Sequence, residues 1–129
     1  MTNSQHHNHI LGGCHCGHVT FRCRMIGQPR LIECNCSICQ AAGFLHWFVP
    51  HEHFELLSGH FFLNEYRFNT HTACHWFCTV CGIKSFYQPR SHPAHFSVNA
   101  RCLRDTDWKN WPITTFDGQN WQKNIGTLS

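Results

Sequence analysis

The chain predicts a mainly β domain built from several small, coiled, antiparallel sheets. Three observations carry this expectation. Apolar and polar residues alternate with period two over short segments, Gly and Pro interrupt these segments at short intervals, and helical periodicity is nearly absent. In residues 18–24, Val19, Phe21 and Cys23 alternate with Thr20, Arg22 and Arg24, the pattern of a strand with one face turned inward. Further strands are expected over 31–34, 45–49, 54–57, 62–68, 73–77, 83–87, 96–99 and 113–116. Gly27, Pro29, Pro50, Gly59, Pro89, Pro93 and Gly118 supply the breaks. The nearest approach to a helix is a turn or two over 37–42, with a second over 118–123. Residues 1–9 form a polar, His-rich leader expected to be disordered, and 10–129 form one domain. Cys23, inward on its strand, reads as a small core residue. Trp47, Phe48, Phe61, Phe62, Trp76 and Phe77 also read mainly as core, and any left exposed are candidates for a pocket wall.

With 42% hydrophobic residues in 129, the chain is long enough to bury a core. Ten Lys and Arg against seven Asp and Glu leave a net charge of +3 with no basic block, which argues against nucleic acid as a partner. No apolar run approaches the ~18 residues needed to cross a bilayer, so no membrane is expected, and no apolar export segment opens the chain. A cytoplasmic protein is the simplest expectation. Thirteen histidines are the odder feature, and most are expected to be solvated.

Seven of the ten cysteines cluster as Cys14/Cys16, Cys34/Cys36/Cys39 and Cys78/Cys81, spelling CxC, CxCxxC and CxxC. Thiolates are soft anionic ligands, and tetrahedral zinc takes four of them, or three plus an exchangeable group. Seven sulfurs divide as four and three. Cys14, Cys16, Cys78 and Cys81 would close one site, which builds structure; Cys34, Cys36 and Cys39 would hold a second ion with one position open, where chemistry occurs. Spacing alone leaves the partition open, since Cys14 and Cys16 could equally share an ion with two of the middle three. Keeping each knuckle whole is preferred, and the long loop it closes costs only roughly 3 to 4 kcal/mol against roughly 10 to 16 from structural zinc.

A disulfide framework is the competing reading, because ten cysteines in 129 residues is dense. A CxC pair makes a strained ring, however, and a chain of this length needs no staples. Gly17 and Gly82 each follow the second sulfur of a knuckle, where left-handed backbone turns amides toward thiolates.

The segments Gly12-Gly13-Cys14-His15-Cys16-Gly17 with Val19 and Phe21, Cys34-Asn35-Cys36-Ser37-Ile38-Cys39, and Phe77-Cys78 to Cys81-Gly82 with Phe86 resemble the glutathione-dependent formaldehyde-activating enzyme family, which also contains centromere protein V. Further agreement lies in residues 87–93, in Val98-Asn99 with Arg101-Cys102-Leu103, and in Phe116-Asp117-Gly118 with Trp121. The resemblance implies an Mss4-like fold, a closed zinc on Cys14, Cys16, Cys78 and Cys81, and a second, catalytic zinc on Cys34, Cys36 and Cys39. It also implies glutathione and formaldehyde as reactants, S-hydroxymethylglutathione as product, and carbon-sulfur lyase chemistry. The residues that hold the glutathione backbone in the named enzyme are not identifiable here from motifs.

Three thiolates make zinc a poor generator of hydroxide but a good acceptor for an incoming thiol. The expected partner is therefore a small-molecule thiol such as glutathione, adding to or leaving a small carbonyl carbon. His46, His71 and His75 are the candidate bases, and position singles out none of them. Cys74 and His71 are rival fourth ligands, Cys102 is a spare sulfur, and Arg90 could receive a carboxylate. Two other classes compete: a zinc-stabilised interaction module of the centromere protein V type, and a metal-storage or thiol-redox protein. A second copy of the chain is a further candidate partner.

Overall fold

The computed structural model describes residues 9–68 and 72–120. Among the described residues ten strands and one helix occur in order: β1 His9–Gly13, β2 Thr20–Arg24, β3 Leu31–Cys34, α1 Ser37–Ala42, β4 Leu45–Pro50, β5 Phe54–Ser58, β6 Leu63–Tyr66, β7 Cys74–Cys78, β8 Phe86–Gln88, β9 His95–Asn99 and β10 Ile113–Phe116. The mainly β expectation holds, and the arrangement is consistent with a small Mss4-like fold.

Several details differ from expectation, among them the strand expected over 83–87, which begins only at Phe86. The sheets are two, one of three strands in the order β1-β2-β5 and one of seven in the order β10-β3-β4-β9-β8-β7-β6. The second is mixed, because β10 pairs parallel to β3, with Phe116 opposite Cys34. A parallel pair needs a long crossover, and here residues 35–112 intervene. His9, assigned to the leader, instead opens β1, which pairs antiparallel to β2. The second expected helical turn appears as a 3-10 turn at Gly118–Asn120, and its continuation to residue 123, like residues 1–8 of the leader, lies outside the described residues.

The core forms between the two sheets. Val19, Phe21 and Cys23 are fully buried and meet Leu31, Leu45, Trp47, Val49, Phe86 and Val98 of the larger sheet. Phe21 stacks on Phe54 at 5.2 Å, and both meet Phe86. Phe61, expected mainly in the core, is 95% exposed, and Phe62 is also exposed; both fall in a 3-10 turn where strand alternation does not apply.

Alternation along β4 explains where a site can form. Leu45, Trp47 and Val49 point into the core, so His46 and Phe48 take the opposite face. That face also carries Ile32 and Cys34 of β3, His75 of β7 and Tyr87 of β8. At its centre the larger sheet separates the apolar core from a second space, lined by these side chains.

Candidate metal centres

The fold brings Cys14, Cys16, Cys78 and Cys81 together, their sulfurs all within 4.8 Å of one another, and does the same separately for Cys34, Cys36 and Cys39. None of the ten cysteines is disulfide-bonded.

The four-sulfur group is built from two matching knuckles. Cys14 follows β1, and its N–H donates to Val19 O at 2.9 Å; Cys78 ends β7, and its N–H donates to Ile83 O at 3.1 Å. Inside each turn the chain reverses at a glycine with positive φ, Gly17 at 86° and Gly82 at 78°. The reversal turns backbone donors onto sulfur: Val19 N–H donates to Cys14 Sγ at 3.3 Å, and Val80 N–H to Cys78 Sγ at 3.4 Å. Cys16 Sγ lies 3.6 Å from both Cys14 Sγ and Cys78 Sγ. Four sulfurs placed tetrahedrally at zinc–sulfur bond length are about 3.8 Å apart, so the two 3.6 Å separations are those a tetrahedral thiolate site needs. Cys14 and Cys78 belong to the core between the sheets, and their burial ties the group to the packing of the whole domain.

The three-sulfur group sits on the other face of the larger sheet. Cys34 ends β3, Cys36 precedes the first turn of α1, and Cys39 lies buried within it. Gln40 N–H donates to Cys36 O at 2.9 Å, which locks Cys36 to the helix start, where unpaired amides favour thiolate. Crowding separates the proton affinities: Cys36 is held low by hydrogen bonds from the Cys34 and Cys39 thiols, whereas those same two neighbours and burial push Cys39 up. Three packed sulfurs thus favour one anion among themselves. A divalent cation would relieve that limit, so the chemistry of the set fits a soft metal.

A cavity of about 360 Å³ lies above these three sulfurs. His46, Phe48, His75, Tyr87 and Arg90 share in its lining. His46, only 3% exposed, places Nε2 at 3.0 Å from Cys39 Sγ and Nδ1 at 2.7 Å from Ser97 Oγ. Burial, with the charge of Lys84 adding, pulls its pKa down to about 3, so it orients Cys39 as a neutral ring. Both its nitrogens are engaged. Of the other candidates, His75 borders the cavity, Cys74 belongs to neither sulfur group, and His71 lies outside the described residues. Cys23 is buried in the core, and Cys102, half-buried, joins neither group.

Sequence reasoning missed the clamp formed by residues 117–119. Asn35, between two of the cysteines, donates from Nδ2 to Asp117 Oδ1 at 3.0 Å and accepts the Gln119 N–H on Oδ1 at 3.0 Å. The Gln119 side chain donates back to Asn35 O at 3.2 Å. Gly118 is thereby pressed against the sulfurs, and a Cβ there would overlap Cys34 Sγ and reach 3.0 Å from Cys36 Cβ. The Phe116-Asp117-Gly118 segment was visible as a motif, but its placement depends on the parallel β3–β10 pairing. Gly118→Ala is therefore expected to weaken metal binding at the three-sulfur group by about 10- to 100-fold while the four-sulfur group keeps its affinity. Stepwise metal release to a chromophoric chelator checks this; two unchanged steps would refute the clamp.

Among the described residues no helix is long and apolar enough to cross a membrane. A family model described as glutathione-dependent formaldehyde-activating enzyme matches residues 9–117. The crystal structure of a Rhodobacter sphaeroides protein is similar at 33% identity and a TM-score of 0.69, covering 81% of this chain and 99% of that one.

Proposed function

Because the chain belongs to the glutathione-dependent formaldehyde-activating enzyme family, we propose that it makes and splits the adduct of a thiol, of the glutathione type, with a small aldehyde. The observation that carries this reading is the three-sulfur group on the floor of a cavity that also presents polar side chains. The four-sulfur group, with a full set of four ligands anchored in the core by Cys14 and Cys78, reads as structural.

In this reading zinc occupies both groups. Cys34, Cys36 and Cys39 would hold the ion, which when bound would supply a soft Lewis-acid position suited to a thiol. The chain's own residues do the rest. Neutral His46 fixes Cys39 through its hydrogen bond, and the Asn35 clamp fixes Cys34. Ile32, Phe48 and Tyr87 give the cavity an apolar wall that limits water beside the reacting carbon. Arg90, also in the lining, is suited to a carboxylate of a peptide-like thiol. The substrate sulfur bonds to the carbonyl carbon, the C=O π pair moves to oxygen, and the proton lost by the thiol ends on that oxygen. The reverse breaks the C–S bond, which is lyase chemistry, and no oxidant enters either direction.

A binding-module function finds less support. The net charge is only +3, and an interaction surface gives no reason for a cavity over three thiols. A reducing, cytoplasmic setting suits seven clustered thiols.

The test is exchange between labelled formaldehyde and glutathione, followed by NMR, with zinc-loaded protein. Exchange faster than the uncatalysed background is expected. Two bound zincs per chain with no acceleration for any small thiol or aldehyde would sink the proposal.

A further inference from the structure

Lys84 lies between the second knuckle and β8, and its Nζ is 2.6 Å from His75 Nδ1 on β7. One aromatic platform holds both groups. The ammonium lies 4.0 Å from the centre of the Tyr87 ring and 4.8 Å from that of Phe44, while the His75 ring stacks on Tyr87 at 4.7 Å with an interplanar angle of 12°. Phe68 packs against His75 at 5.4 Å. His75 is 4% exposed and borders the cavity above the three sulfurs.

This geometry dictates a tautomer. A protonated lysine has donors and no acceptor, so the short contact must use the Nδ1 lone pair. A neutral His75 then carries its hydrogen on Nε2. Burial, with the charge of Lys84 adding, pulls His75 down to about 4, while burial pulls Lys84 down to about 8. Near neutral pH the ring is therefore neutral and the amine still charged. The other titratable groups around the pair are Tyr87 on β8, whose buried phenol is pushed up, Tyr66 on β6, His46 on β4, and the thiols of Cys36 and Cys39 by α1. Among the described residues no side chain or carbonyl accepts from His75 Nε2, which is not among the sealed, unpartnered polar atoms.

We infer that Lys84 is a positioning residue that locks His75 as the Nε2–H tautomer, and that this N–H donates a hydrogen bond to the oxygen of the cavity's occupant, an aldehyde carbonyl or the hydroxyl of its thiol adduct. The occupant's identity rests on the proposed function. His75, read from sequence as a candidate base, thereby becomes a donor. As the C–S bond forms, negative charge grows on that oxygen, and a fixed donor favours the charged arrangement over the starting carbonyl.

The experiment is nitrogen NMR of the zinc-loaded protein with labelled histidine, at pH 7. Wild type should show His75 protonated on Nε2 and bare on Nδ1, and adding glutathione with formaldehyde should move the Nε2–H resonance. Lys84→Arg should keep the tautomer, whereas Lys84→Met should yield a mixture. In exchange kinetics Lys84→Met should lower kcat about 10- to 100-fold with the glutathione KM unchanged, and Lys84→Arg should recover most of it. A proton found on Nδ1 in wild type, a measurement that needs no variant, overturns the inference. So does a folded Lys84→Met protein with unchanged tautomer and kcat. The expected tautomer and resonance shift without turnover would defeat the lyase reading and leave this assignment standing; turnover without any shift would defeat the assignment alone.

Discussion

Cys78→Ser is expected to abolish the folded state at 37 °C, and a strong chelator is expected to do the same to the unaltered chain. Cys78 is fully buried and joins Cys14 in the core between the sheets, so its sulfur cannot turn to solvent when a ligand is lost. Removing the ion leaves the buried Cys78 sulfur 3.6 Å from that of Cys16 with no cation between them. Structural zinc on four sulfurs is worth roughly 10 to 16 kcal/mol, while a domain of ordinary stability holds about 5 to 15 kcal/mol in total. The ion's contribution is therefore about as large as the whole margin. The knuckles also join β1 to β2 and β7 to β8, one hairpin in each sheet, so their separation opens the face where Phe21 meets Phe86. Circular dichroism during chelator titration, with elemental analysis of metal content, is the check. A cooperative loss of β structure that tracks departure of the first or second ion is expected; a metal-free chain that keeps its melting transition would refute the structural role.

Cys36→Ser is expected to have the opposite profile. Thiol-adduct exchange should fall by at least about 100-fold, since even changes to groups that merely support metal ligands cost 10- to 100-fold. The fold should survive, with a melting midpoint within about 5 °C of the parent. Cys36 is only half-buried and takes no part in the core between the sheets. It also stands at the N-cap of α1, a position where serine is among the preferred residues, so the backbone loses nothing locally. Metal content should drop from two ions to one. The same chemical change thus separates the two sulfur groups: at Cys78 it removes the structure, and at Cys36 it removes the reaction. If the serine variant binds two ions and still accelerates exchange, the reacting centre lies elsewhere.

Much of this was legible in the residues themselves. The strands at 31–34 and 113–116 fall where alternation and breakers set them, and the helix over 37–42 was found at the right bounds. β1 was missed for a physical reason: His9–Gly13 combines a polar leader with two glycines, and its place becomes evident only against β2. Gly17 and Gly82 were readable because a CxC or CxxC knuckle imposes its own local turn.

The chain's own order determined which side chains could bind a soft metal and how each short stretch would bend, because thiol chemistry, side-chain period and glycine turns act within a few residues. Tertiary structure alone decided which cysteines make up the four and which the three, because spacing permits other sharings and the choice is made by which strands lie side by side. It alone set Gly118 against Cys34, through a parallel pairing of strands far apart in sequence. It also gave Lys84 its partner: nothing near residue 84 in sequence calls for a histidine, and the bond to His75 exists because β7 and β8 pair in a register that stacks His75 on Tyr87 beneath the ammonium. Contacts of that kind depend on packing between distant segments, which local pattern does not encode.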